Sequence, residues 1–164
     1  MCALHQIIGR LRRDERGAAL VEMTLITPFM LLLSAGVFEF SNILQTRLSI
    51  EAGIEDAARY LARCSDTWTT CVAHAKNLAV NGVITGGGAR ISGWTAAQIP
   101  DPTLTPYAAT NPVTGAQIYL SSTGTVNVVT VSTSHPYSGT GLWGYLGFGT
   151  LNITASHQER VLGW

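Results

Sequence analysis

The sequence predicts an α+β fold, with one long N-terminal helix packed on a small antiparallel β-sheet. Three observations predict it. Residues 18–38 form an apolar run of membrane length, and helical periodicity without proline continues from Glu39 to Cys64. Beyond Ala89, glycine, proline and alternating apolar residues take over, which is the pattern of short strands and turns. At 164 residues the chain has room for one small domain behind a membrane segment, not for two large domains.

The first element is the apolar run itself. Ala18–Phe38 spans 21 residues, which as a helix extends about 31 Å at about 1.5 Å per residue. A bilayer hydrocarbon core is about 30 Å thick. Arg10, Arg12, Arg13 and Arg16 crowd ahead of the run, against Asp14 and Glu15. The positive-inside rule then puts the N-terminus in the cytoplasm and everything after Phe38 outside a bacterial inner membrane. An ordinary secretory signal fits less well, because the run is long and no small-x-small cleavage site follows it. The chain therefore divides into a basic leader (1–17), a membrane or filament-core helix (18–38) and an extracytoplasmic domain (39–164).

Glu22 is the outlier in this run. An unpaired carboxylate inside a membrane costs on the order of several kcal/mol, so it points to function.

The helix continues past the membrane boundary. Ile43, Ile50, Ile54, Ala57 and Leu61 recur at helical spacing on one face, and Phe40, Leu44 and Leu48 are expected to widen that stripe. Glu55 and Arg59 stand in the favourable i,i+4 order. One helix from roughly Ala19 to Arg63 is the simplest account, its first half facing lipid or neighbouring subunits and its second half packing on the domain. Pro28 removes one backbone donor and is expected to kink or loosen this helix, with Gly36 adding local freedom.

Cys64 and Cys71 follow the helix, on the outer side of the membrane. A disulfide between them closes a short loop and contributes about 2–3 kcal/mol, in an oxidising compartment such as the periplasm. No second pair of Cys or His residues has zinc-ligand spacing, so no metal or other cofactor is expected. Cys2 has no apolar signal ahead of it and is not a lipoprotein cysteine.

Val72–Val83 reads as a short helix ended by Asn81-Gly82. Gly86, Gly87 and Gly88 form a loop; no strand precedes them and no GK[ST] follows, which argues against phosphate binding. Ala89–Thr95 is expected to be the first strand, and Gln98–Gly115, with four prolines, an extended surface loop. Ala116–Ser122 and Thr125–Ser134 look like a hairpin across Ser122-Thr123-Gly124. Its apolar phase slips between Val128 and Val129, which implies a bulge or a strand buried on both faces. The last strand, Thr150–Leu162, turns Leu151, Ile153 and Ala155 inward and Asn152, Thr154, Ser156, Gln158 and Arg160 outward.

Composition and motifs exclude several functions. Net charge is zero with 12% charged residues, and without residues 1–17 six basic residues stand against eight acidic ones. That surface does not favour nucleic acid or any other polyanion. His74, His135 and His157 are isolated in sequence, His135 before Pro136 as a strand-to-loop residue, and no HExxH, GxSxG or paired carboxylate accompanies them. The chain is not expected to be an enzyme. Trp143, Tyr145 and Phe148 interleave with glycines from Ser138 to Gly149. They form either a partner-contact or glycan-stacking loop or, the favoured reading, a roof over the sheet. Asn152-Ile153-Thr154 is formally a glycosylation sequon, but it lies in an expected strand in a bacterial context.

The N-terminal constellation is more specific. A basic leader, Gly17, a glutamate at the fifth following position and an apolar helix form the processing pattern of type IV pilins. Cutting Gly17–Ala18 frees a charged amine on Ala18 at the helix tip. In a staggered bundle that amine neutralises Glu22 of its own or a neighbouring subunit, and a wrong register leaves a charge unpaired. Within this class, ERGAALVEMTLITPFMLLLSAGVFEFSNIL followed by EAGIEDAARYLARC resembles the TadE-type pseudopilins of tight-adherence (Flp) pili, over Arg16–Cys64. LNITASHQERVL is similar in style to that family's final strand.

The resemblance implies cleavage after Gly17 by a prepilin peptidase and dependence on Glu22. It also implies assembly as a minor pilin, with other pilins and the inner-membrane assembly platform as partners, and a final place on the pilus or cell surface in adhesion. Major Flp pilins carry an aromatic after the glutamate; Met23 here, with the large exterior domain, argues for a minor pseudopilin. The alternative is a signal-anchored periplasmic binding module that uses the aromatic loop.

Overall fold

A computed structural model describes residues 15–139, 142–145, 147 and 149–162. Its contacts divide the chain into two units, Met1–Ser41 and Asn42–Trp164. A single helix, α1 (Glu15–Leu61), supplies the described part of the first unit and enters the second, and its assignment runs unbroken through Pro28. In the first unit the apolar side chains from Leu20 to Leu33 are all exposed. The hydroxyls of this stretch are satisfied locally. Thr24 donates to Leu20 O at 2.7 Å, Thr27 to Met23 O at 2.6 Å and Ser34 to Met30 O at 2.8 Å. Such back-bonding lets a hydroxyl sit in an apolar helix without an orphaned donor.

In the second unit α1 is periodic in burial. Ile50, Ile54, Ala57 and Leu61 are fully buried and Ile43 packs against the same core. The expected widening of this stripe is not observed: Phe40, Leu44 and Leu48 are exposed, Phe40 at 68%. A helix buries only the arc facing its partner, and these three residues lie outside it.

The second helix, α2 (Trp68–Asn81), starts before Cys71 rather than after it. It ends at Gly82, whose φ of +75° suits the left-handed cap and whose N–H donates to Leu78 O at 2.9 Å. Against α1 it sets small residues, Ala75 and Ala79. At Gly53 the approach is so close that a Cβ would lie 2.5 Å from Ala79 O and 2.8 Å from Trp94 Cη2.

Trp94 corrects the expectation of a first strand at Ala89–Thr95. That segment is a series of turns, with Gly93 at φ +79°. The turns insert the fully buried Trp94 into the core, where its Nε1–H donates to Thr133 Oγ1 at 3.2 Å. A buried indole needs that partner. A short 3-10 turn (Ala96–Gln98) follows.

The sheet has three antiparallel strands in the order β1 (Thr103–Ala108), β2 (Thr125–Pro136), β3 (Asn152–Arg160). Two expectations are corrected here. β1 lies inside the proline-rich segment read as a loop, and β2 pairs with β1 from Thr103↔Thr130 to Ala108↔Thr125, not with 116–122. Residues 116–122 contribute only an isolated bridge, Thr110↔Gln117. Asn111 Oδ1 accepts from Val113 N and Thr114 N, closing this stretch into a local turn in place of a strand.

The phase slip in β2 needs no bulge. Val129, Val131, Thr133 and His135 face the core, Val126 and Val128 lie half-buried on the other face, and the pairing with β3 is continuous. β3 alternates as expected, with Ile153 buried and Asn152, Thr154, Ser156, Gln158 and Arg160 exposed. Its end is tied to the helix end, where Leu162 N donates to Ala62 O at 3.1 Å.

Candidate functional site

The residues singled out at the N-terminus lie on the exposed helix of the first unit. Gly17, Ala18 and Glu22 are all exposed, and Ala18 and Glu22, four residues apart, share one helix face. Of the four polar side chains between Ala18 and Phe38, the three hydroxyls bond their own backbone. Glu22 alone makes no hydrogen bond or ion pair among the described residues. A carboxylate placed this way draws its partner from outside this part of the chain, or faces lipid at the cost already stated.

Gly17 shows the same dependence on something external. A Cβ at this position would meet nothing within 4 Å, and its φ is not positive. Glycine within a helix costs about 0.5–1 kcal/mol relative to alanine, and nothing among the described residues calls for it here. Gly36 stands in open space too, whereas Gly53 is fixed by close packing.

Cys64 and Cys71 form a disulfide in the structure, with Cα atoms 6.0 Å apart. It links the end of α1 to the first turn of α2 across a separation of seven residues. Beside it the Tyr60 hydroxyl and His74 Nδ1 are 3.1 Å apart, with the two rings edge to face.

The described histidines stay apart. His135 is buried, 3% exposed, on the inner face of β2 with Nδ1 2.9 Å from Gln98 Oε1; burial lowers its pKa below the usual imidazole value. This corrects the sequence reading of a strand-to-loop residue. His135 is a core group in a polar seam with Thr133, whose hydroxyl donates to Gln98 O at 2.9 Å. His157 lies 3.5 Å from Glu159 at the far end of β3. Among the described residues no three of His, Cys, Asp and Glu gather at a metal-binding spacing.

The aromatic loop is described only in part. Leu142–Tyr145 forms a helical turn and Tyr145 is 88% exposed, so this ring does not roof the sheet. Phe148 and the side chain of Trp143 lie outside the described residues.

α1 is long and apolar enough to cross a membrane. A family model, that of the TadE-like proteins, matches residues 17–59. The chain carries a TadE-like segment. The match opens on Gly17, contains Glu22 and Gly53, and stops within α1. It supports a pilin-like role in a tight-adherence pilus system, and this family is a structural pilus component, not an enzyme family. No curated protein and no solved structure matches the chain.

Two residues that place the domain's core were not legible as such in the sequence. Gly53 sits in a helical run where a lone glycine signals nothing specific, and Trp94 sits in a segment that reads as a strand.

Proposed function

We propose that this chain is a minor pilin, or pseudopilin, of a bacterial tight-adherence pilus. It is made with a cytoplasmic leader, held in the inner membrane by α1 and cut after Gly17. The observation that carries the proposal is the contrast within the apolar span: every hydroxyl is satisfied by its own helix, while Glu22 is left without a partner among the described residues.

Cleavage between Gly17 and Ala18 supplies that partner. It creates an α-amine four residues from Glu22 and a new helix start whose first four N–H groups have no intrahelical acceptor. A carboxylate near a helix N-terminus is favoured by the helix dipole, typically by about 0.3–1 kcal/mol, and by the amine in addition. When the pair forms between neighbouring subunits, a wrong stagger strands both charges in apolar surroundings. The pair therefore sets register more than it adds stability. The open surroundings of Gly17 support the same reading, since a residue that its own fold does not require is available to a peptidase subsite.

With the arginines of the leader inside, the domain and its disulfide lie in the periplasm, where the thiols oxidise. Incorporation then carries the domain to the pilus or cell surface, in contact with other pilins and, during assembly, with the inner-membrane platform.

The test is Glu22→Ala in piliated cells. The variant is expected to stay in the membrane with its disulfide formed, and to be missing from sheared pili. Recovery of the variant in sheared pili at the normal level removes the role given to Glu22. A second reading, favoured by the exposed ring of Tyr145, makes the loop around Trp143, Tyr145 and Phe148 a contact surface for a partner or glycan.

A further inference from the structure

The part of the sequence that builds the sheet is almost free of charge. From Pro102 to Gln158 it contains no Asp, Glu, Lys or Arg, and Glu159 and Arg160 close that stretch. Successive side chains of a strand point to opposite faces, so these two diverge on β3. Glu159 lies 3.5 Å from His157 Nε2. Arg160 goes to the other face and takes no carboxylate: among the described residues it makes neither an ion pair nor a hydrogen bond. Its guanidinium carbon lies instead 5.3 Å from the centroid of the Tyr119 ring. A ring face holds a guanidinium in place without using its N–H groups, so the fork of donors stays open.

Arg160 stands on the wall of a cleft of about 460 Å³, formed by the turn that enters β2 and by the end of β3. That volume falls in the range of about 300–1,000 Å³ found for small-ligand sites. Leu104, Leu120 and Leu162 give the cleft an apolar wall, and all three are exposed. Ser121 and Thr123 give it hydroxyls. Both hydroxyls donate to one carbonyl, Thr125 O, at 2.6 Å and 3.3 Å. With their protons committed there, their remaining lone pairs accept hydrogen bonds from a ligand.

A ligand that uses all of these groups carries one negative charge, hydroxyl donors and a C–H surface. One guanidinium matches one carboxylate in a two-bond fork. A phosphate monoester, with a charge of about −1.5 to −2 at pH 7, finds no second cation in the lining of the cleft. A simple apolar acid leaves the Ser121 and Thr123 acceptors without donors, and a neutral sugar leaves Arg160 unmatched. A hexuronic acid unit brings carboxylate, hydroxyls and C–H face on one ring.

We infer that this cleft binds a single uronic acid unit, its carboxylate on Arg160, its hydroxyls donating to Ser121 and Thr123, and its ring against the leucine wall. The chain beyond the leader has more acidic than basic residues, and one guanidinium does not hold a run of negative charges against that excess. The ligand that fits is therefore an isolated acidic unit in an otherwise neutral glycan. The cleft shares no lining residue with the loop from Trp143 to Phe148. The inference depends neither on leader cleavage nor on Glu22.

The probe is methyl glucuronide, titrated into the full chain in detergent, with the NMR shifts of Thr123, Arg160 and Leu162 as the readout. Three relatives separate its features. Methyl glucoside keeps the hydroxyls without the charge, hexanoate keeps the charge without the hydroxyls, and glucose 6-phosphate carries the larger charge. Methyl glucuronide is expected to shift these signals saturably and to bind about tenfold or more tighter than each of the three. Arg160→Gln should weaken it about tenfold or more, and Arg160→Lys by less, because the charge remains without the fork. Thr123→Val should weaken methyl glucuronide and leave hexanoate unchanged. Arg63→Gln, at an exposed arginine that does not line the cleft, should change nothing. The inference is overturned if methyl glucuronide in large excess shifts none of the signals, or if the glucoside or hexanoate binds equally well. Tighter binding of glucose 6-phosphate overturns it too, as does an Arg160→Gln variant with an otherwise native spectrum that binds as well as the natural chain.

Discussion

The two halves of α1 are one continuous helix under opposite constraints. From Ile50 to Leu61 its apolar residues are buried with helical period against α2, Trp94 and the sheet. From Leu20 to Leu33 they are exposed on every side, and the helix spans enough length to cross a bilayer. The glycines report the same contrast. A side chain on Gly53 collides with backbone, whereas one on Gly17 meets nothing. Within the second half, residue identity is explained by what the chain itself packs there. Within the first half, Gly17 and Glu22 have no packing or bonding partner among the described residues, and the proposed function places their partners in the processing and assembly machinery.

The largest expected effect is on the packed half. Trp94→Ala should cost about 3–5 kcal/mol in chemical denaturation of the full chain, because it empties a site between Gly53 and Thr133 and leaves the Thr133 hydroxyl short of a donor. Gly53→Ala should cost about 1–3 kcal/mol, since the new methyl group can be relieved only by moving the Ala79 carbonyl or the indole. A neutral Gly53→Ala would break the contrast by showing that the helix approach has slack.

A smaller effect comes from His135. Its pKa in the folded chain is lowered by burial, so the unfolded chain binds the proton more readily. The stability it contributes is complete above the unfolded value of 6.5 and is lost as pH falls from there through the lowered folded value. Denaturation midpoints should therefore drop as pH is taken from 7.5 towards 5, and His135→Gln should flatten that dependence. The smallest effect is on the exposed half: Gly17→Leu should change domain stability by no more than about 0.5 kcal/mol. A larger loss would mean that Gly17 has a packing role after all.

Much of this was legible in the residues. The helix face from Ile43 to Leu61 and the alternation of β3 follow directly from spacing, because each element buries one face. The errors have separate physical causes. Ala89–Thr95 has strand composition, but a single large indole seeking a buried acceptor set its path. Thr103–Ala108 was hidden by Pro106, whose missing N–H costs nothing when it points to the open edge of the sheet. Phe40, Leu44 and Leu48 looked like core because hydrophobicity alone does not say which arc of a helix meets a partner. At the N-terminus Glu22 was legible by its charge alone, and the structure adds the local satisfaction of Thr24, Thr27 and Ser34, which sets these hydroxyls apart from it.

The central claim is that processing creates the group that allows Glu22 to be buried. The most direct measurement is N-terminal sequencing of the chain, and of Gly17→Leu, from cells with an active prepilin peptidase. The account predicts a first residue of Ala18 in the natural chain and an uncut leader in the variant, both with the same folded domain. An intact leader on the natural chain in those cells would contradict it.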